Sequence, residues 1–168
     1  YPLCSYSPDE LLRSSISNPI GDVHLKEVVG KRRNNHVVVV VSDITRPIPY
    51  HTFLPGLLAM IESYGVSRDD ITMLVATGMH RPSTDAEYVE MFGEYVKQHY
   101  RIIDHDSEDE SMLVRVEGRS ISGAEVNLNR YYIEAGCRIV TGLVEPHFMA
   151  GFSGGRKSIC PGLASLSA

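Results

Sequence analysis

No apolar run approaches the about 18 residues needed to cross a membrane, and no basic excess exists, since 16 Lys and Arg face 21 Asp and Glu for a net charge of −5. The first absence excludes a membrane-spanning helix. The second argues against a nucleic-acid partner, whose phosphates require a basic face. No secretory signal is visible, but the chain opens on Tyr1 rather than Met, so an upstream segment is expected to be missing. Cysteine is scarce and odd in number: Cys4, Cys137 and Cys160 stand far apart without metal-ligand spacing. They fit reduced thiols of a cytoplasmic protein, with Cys137 in the core. No paired His or Cys has the spacing of a metal site. Repeats, low-complexity tracts and linkers are also lacking, so the 168 residues form one domain with a sizeable core.

What remains is an alternation of helix and strand signals. Ser7-Pro8-Asp9-Glu10 starts a helix carrying Leu11, Leu12 and Ile16, and a second short helix stops at Gly30. The basic run Lys31-Arg32-Arg33 is a solvated turn. Residues 37–41 form a β-branched run without polar alternation, as in parallel strands covered on both faces. A helix over residues 52–64 puts Leu54, Leu57, Leu58 and Ile61 on one side and ends at Gly65. A second apolar strand spans residues 71–76, and Ser83-Thr84-Asp85-Ala86-Glu87 starts the next helix. Residues 94–99 continue as helix, 101–104 as strand, and the acidic run 104–110 as a solvated loop in which His105 is no strong candidate. Residues 112–116 and 125–128 alternate like strands of a hairpin or sheet edge, separated by Gly118 and Gly123. Asn129 caps a short helix that Gly136 ends, and residues 138–141 make another strand. This order predicts an α/β, Rossmann-like fold: a mostly parallel sheet with helices on both faces.

Reactive side chains gather where the strands end. Ser42-Asp43-Ile44-Thr45-Arg46-Pro47 follows the first strand, and Thr77-Gly78-Met79-His80-Arg81-Pro82 follows the second. After the last comes a stretch containing His147, Arg156, Lys157 and a run of glycines. In open α/β sheets ligands bind beyond the carboxyl ends of strands, so these three sets are expected on one edge. An equal alternative reading makes Asp43 or Thr45 a helix cap, with Arg46 paired on the surface.

The glycine-rich stretch admits three readings. It is a surface loop with Arg156 and Lys157 solvated, or a phosphate loop, or the anchor of a cofactor at Lys157 with His147 as an acid/base beside it. The segment opening on Gly151 and closing on Ser158 matches the phosphate-loop pattern except that Arg156 stands where the second glycine belongs. That alternative makes the chain a nucleotide-phosphate-binding module without redox chemistry. An unperturbed imidazole changes charge near neutrality, and two of them beside one substrate suit proton removal and delivery. Arg offers a planar fork to a carboxylate, and Lys can bond covalently to a cofactor. The set points to acid/base work on a small carboxylate, with the hard step left to a cofactor.

Three motifs carry a family resemblance: Ser42-Asp43-x-Thr45-Arg46-Pro47, Ala76-Thr77-Gly78-x-His80-Arg81, and Glu145-Pro146-His147-Phe148-x-Ala150-Gly151-Phe152-Ser153-Gly154-Gly155-Arg156-Lys157. In this order they resemble the N-terminal domain of the nickel-dependent lactate racemase family, over residues 36–162. The resemblance implies a nickel-pincer nucleotide, a nickel pyridinium-3,5-bisthiocarboxylic acid mononucleotide, bound covalently to Lys157 through a thioamide. It implies that His80 and His147 deprotonate the hydroxyl of a small 2-hydroxy acid, one for each enantiomer, while the cofactor takes the α-hydrogen as hydride. Arg46 corresponds to a residue that engages the substrate carboxylate, and Asp43 to one near the cofactor nucleotide; Thr45 is expected to help at the phosphate. The family's nickel-ligand His lies beyond the point where this chain ends at Ala168, as does a second, C-terminal domain that closes over the cofactor. Residues 1–168 are therefore expected to be the N-terminal, cofactor-tethering part of a racemase or epimerase. The resemblance further implies cofactor maturation enzymes as partners, and no activity from this part alone.

Overall fold

The computed structural model describes residues 6–117 and 123–168; Cys4 and Gly118 lie outside them. Strands β1 (Val37–Ser42), β2 (Ile71–Ala76), β3 (Arg101–Asp104) and β6 (Cys137–Val140) form one sheet in the order β3-β2-β1-β6. Every pairing in it is parallel. The expected α/β sheet is thus present, with all four sheet strands where the sequence pattern put them, to within a residue or two at the ends.

Helices α1 (Pro8–Ser17), α2 (Leu25–Gly30), α3 (Tyr50–Ser63), α4 (Asp85–Phe92), α5 (Glu94–His99) and α6 (Arg130–Glu134) cover the sheet unequally. Successive strand residues point to opposite faces. Val37, Val39 and Val41 therefore meet the larger core, which draws on α1 through α5. Val38 and Val40 meet a smaller one completed by Ala135, Leu163, Tyr131 and Tyr132. Within α3, Leu54, Leu57, Leu58 and Ile61 are all buried, each worth about 1.5–3 kcal/mol as burial of an apolar side chain. Capping boxes start α1 (Ser7 with Glu10) and α4 (Thr84 with Glu87), satisfying amide donors that the first helical turn cannot pair itself.

The chain steps outward from β1 to β2 to β3, then returns to the other side of β1 as β6. A crevice opens where the direction of winding reverses, here between the carboxyl ends of β1 and β6. On the way back, β4 (Leu113–Arg115) and β5 (Asn127–Asn129) pair antiparallel as a separate two-stranded ribbon. Beyond β6 a third small sheet follows: the hairpin of β7 (Pro146–His147) and β8 (Gly151–Phe152). Among the described residues no helix is long and apolar enough to cross a membrane.

Candidate active site

The segment after β1 turns on its own side chains. The Asp43 Oδ1 accepts the Thr45 backbone N–H at 3.3 Å and the Thr45 hydroxyl at 2.6 Å. Its other oxygen, Oδ2, faces His80 Nδ1 in a short contact across the ends of β1 and β2. The Asp43 side chain is 8% exposed and that of His80 55%, so a sheltered carboxylate holds an imidazole that reaches solvent. Arg46 Nη1 lies 3.8 Å from Glu145 Oε1, with both side chains partly exposed. That spacing leaves the guanidinium free to exchange partners.

His80 is carried by a tight turn in which its amide donates to the Thr77 carbonyl at 3.0 Å. The Thr77 hydroxyl donates in turn to the carbonyl of His105. His105 is buried and structural: its Nε2 donates to the Ala164 carbonyl at 2.9 Å, and its Nδ1 accepts from Asn129 Nδ2 at 3.1 Å. Burial pushes its pKa down, consistent with a neutral ring. This network ties the segment after Lys157 to the sheet.

Lys157 sits in a 3-10 turn over Gly155–Ser158, its amide donating to the Gly154 carbonyl at 3.1 Å. Gly154 has φ +70, and a Cβ there would stand 2.8 Å from the Leu143 oxygen, so the turn packs against the end of the preceding strand as only glycine permits. Burial and the neighbouring Arg46 charge push the Lys157 pKa below the usual lysine value, against an opposing pull from Glu145. The Ser153 hydroxyl donates to the Leu143 carbonyl at 2.6 Å and accepts from the Glu145 amide at 3.1 Å, closing the base of the hairpin.

Asp43, Arg46, His80 and Lys157, which follow three different strands, line one pocket of about 220 Å³. Thr45 and His147 are not among its lining residues. Thr45 stands behind Asp43, and His147 is held on β7, where its Nδ1 accepts the amides of Met149 and Ala150, each at 3.2 Å. Residues 151–158 fold as β8 followed by the 3-10 turn, not as the loop opening an α-helix that a phosphate loop requires.

Three contributions were not singled out in the sequence. Glu145 pairs with Arg46, Gly162 lines the pocket floor, and Tyr50 bridges the crevice beneath it. The Tyr50 hydroxyl accepts the Ser42 amide at 2.6 Å and the Thr141 hydroxyl at 3.3 Å, joining the ends of β1 and β6. A tyrosine opening a helix leaves no mark that separates this role from core packing.

A family model described as the lactate racemase N-terminal domain matches residues 5–168. The chain is 42% identical over 159 residues to a lactate racemase of Lactiplantibacillus plantarum, covering 95% of this chain and 37% of that protein. It is 37% identical over 160 residues to a lactate racemase of Thermoanaerobacterium thermosaccharolyticum, with the same coverage of 95% and 37%. A structure of the lactate racemase apoprotein from Thermoanaerobacterium thermosaccharolyticum superposes with a TM-score of 0.87 at 35% identity, over 95% of this chain and 37% of that one. A Thermotoga maritima protein shares the fold at a TM-score of 0.73 and 20% identity, over 95% of this chain and 39% of that one. The chain spans about 37% of the length of the curated relatives it matches.

Proposed function

From a chain that belongs to the lactate racemase N-terminal domain family, we propose the cofactor-tethering part of a racemase or epimerase of a small 2-hydroxy acid, lactate or a similar compound. The observation that carries this reading is the meeting of Asp43, Arg46, His80 and Lys157 in one pocket. A carboxylate-supported imidazole, a cation with a loose partner and an amine of lowered basicity suit a carboxylate substrate whose hydroxyl must lose a proton.

The residues fit a nickel-pincer nucleotide tethered at Lys157. Covalent attachment needs the neutral amine, and the lowered Lys157 pKa raises that fraction at a given pH. Gly154 and Gly162 pack so closely on Leu143 and Ser158 that a Cβ at either would collide with backbone, which fixes the loop that carries Lys157 against the sheet. Among the described residues no cluster of three or more His, Cys, Asp or Glu side chains could hold a metal ion by itself; by the family resemblance, the protein ligand to nickel would be a His beyond Ala168. When bound, the group supplies an acceptor that takes the substrate's α-hydrogen as hydride and returns it.

The chain's own residues then do the rest. Arg46 leaves Glu145 for the substrate carboxylate, whose two oxygens match the guanidinium fork. His80, with Nδ1 held by Asp43, takes the hydroxyl proton at Nε2. His147 serves the opposite enantiomer. Loss of the hydroxyl proton and the α-hydrogen leaves a planar 2-keto acid, which can be reduced on either face. The remainder of the protein closes the site and completes it, so residues 1–168 alone would be inactive.

The test is peptide mass spectrometry on the full-length protein produced with cofactor maturation enzymes, alongside racemisation assays. An adduct on the Lys157 peptide, with activity lost in Lys157→Ala, supports the reading. An unmodified Lys157 and no racemisation, beside a matured lactate racemase that shows both, would overturn it.

A further inference from the structure

The two candidate histidines are held by opposite kinds of partner. His80 presents Nδ1 to Asp43 Oδ2, and an ionised carboxylate only accepts. The proton must therefore sit on Nδ1. Thr45 fixes the carboxylate from behind through its amide and hydroxyl, so Asp43 cannot turn away without losing both bonds. His147 presents Nδ1 to the backbone N–H groups of Met149 and Ala150, which only donate. There the nitrogen must carry a lone pair, and in the neutral ring the proton sits on Nε2. Neither Nε2 makes a hydrogen bond among the described residues. Which nitrogen of an imidazole is protonated is set by what the other one touches.

We infer that the fold holds His80 and His147 in opposite neutral tautomers, with Asp43 as the positioning residue for the first and the turn of residues 148–150 as the latch for the second. As it stands, only His80 offers a lone pair at its free nitrogen and can take a hydroxyl proton. His147 offers an N–H. To act as a base at Nε2 it must carry its proton at Nδ1, which places an N–H against two other N–H groups. The turn must release Nδ1 first. The hairpin thus makes the two enantiomers unequal at the outset: one meets a ready base, and the other requires a rearranged turn. The inference rests on the racemase reading only in assigning both rings to one substrate.

The measurement is nitrogen NMR of the full-length protein labelled with 15N-histidine, followed to alkaline pH until the ring signals stop moving, so that the neutral form of each ring is read from its own shifts. His80→Gln and His147→Gln assign the signals. The expected pattern is a pyrrole-type Nδ1 and pyridine-type Nε2 for His80, and the reverse for His147. The same tautomer in both rings overturns the inference. In Asp43→Asn the His80 signals should move toward averaged shifts while those of His147 stay in place. An unchanged His80 pattern overturns the role of Asp43, and if that variant does not fold, the wild-type spectrum decides alone. The tautomers can be read whether or not the protein racemises anything, so this test and the mass-spectrometric one fail separately.

Discussion

The Gly78 amide donates to the Gly162 carbonyl at 3.0 Å, joining the turn that carries His80 to the segment that follows Lys157. The two halves of the pocket are thus fastened backbone to backbone, and Gly162 has no room for a side chain. A Cβ there would lie 2.8 Å from the Ser158 carbonyl carbon and 3.0 Å from the Ala76 Cβ. Gly162→Ala is expected to cost about 1–3 kcal/mol, as for other overpacked sites, measured as a lower urea midpoint. An unchanged midpoint would mean that the segment yields freely.

Lys157 gives a pH prediction of definite sign. Its amine is pushed below the usual lysine value by burial and by Arg46, while Glu145 opposes them. Lysine acylation followed by peptide mass spectrometry across a pH series should find Lys157 reacting with a pH midpoint below the ordinary lysine value of about 10.4. Arg46→Ala, by removing a like charge, should raise that midpoint, and Glu145→Gln should lower it. A midpoint that ignores both substitutions would show that the charges do not act on this amine.

His105 links stability to acidity. Its pKa is lowered in the folded protein by burial, so the unfolded chain binds the proton more readily. The stability this contributes is complete above the ordinary histidine value of about 6.5. It declines as pH falls from there to the folded pKa. Thermal unfolding should show the melting temperature dropping over that window, with a shallower drop in His105→Gln. His36, also shifted down by burial, adds to the slope with the same sign. The substitution should itself cost on the order of 1–3 kcal/mol, because the Ala164 carbonyl and the Asn129 amide lose a buried partner.

Arg46→Lys tests substrate recognition in the matured full-length protein. Lysine keeps the charge but loses the fork, and a charge-assisted hydrogen bond worth about 1.5–3 kcal/mol corresponds to about a 10- to 150-fold fall in kcat/KM. Most of it should appear in KM. A full loss of kcat at unchanged KM would place Arg46 in the chemical step instead.

Much of this was legible in the sequence because local rules and tertiary packing agree. The unbroken valine run of β1 is buried on both faces, and Ser7 and Thr84 cap the helices that their spacing announces. The grouping of Asp43, Arg46, His80 and Lys157 followed from a topological rule about strand ends, not from any local signal. What stayed hidden are contacts between residues distant along the chain. Nothing near Asp43 reveals that its carboxylate faces His80, and the acidic surroundings of His105 disguise a fully buried ring. The stretch around His147 has too few residues per strand for periodicity to declare β7 and β8. Its hairpin rests on the Ser153 and Glu145 bonds, which no pattern of polarity encodes.

The return of the chain to the far side of β1 also sets an order of assembly. Val37 pairs with Ile71 on one side and with Cys137 on the other, and the second pairing closes a far longer loop. Closure entropy grows with loop length, and distant strand pairings form slowly. During synthesis β1, β2 and β3 can associate before β6 has been made. Such a chain already holds Asp43 and His80 but has no Lys157 and no far wall to its crevice. Lys157 is made only after the last strand of that sheet, so the pocket gains its amine only once every sheet strand has been synthesised.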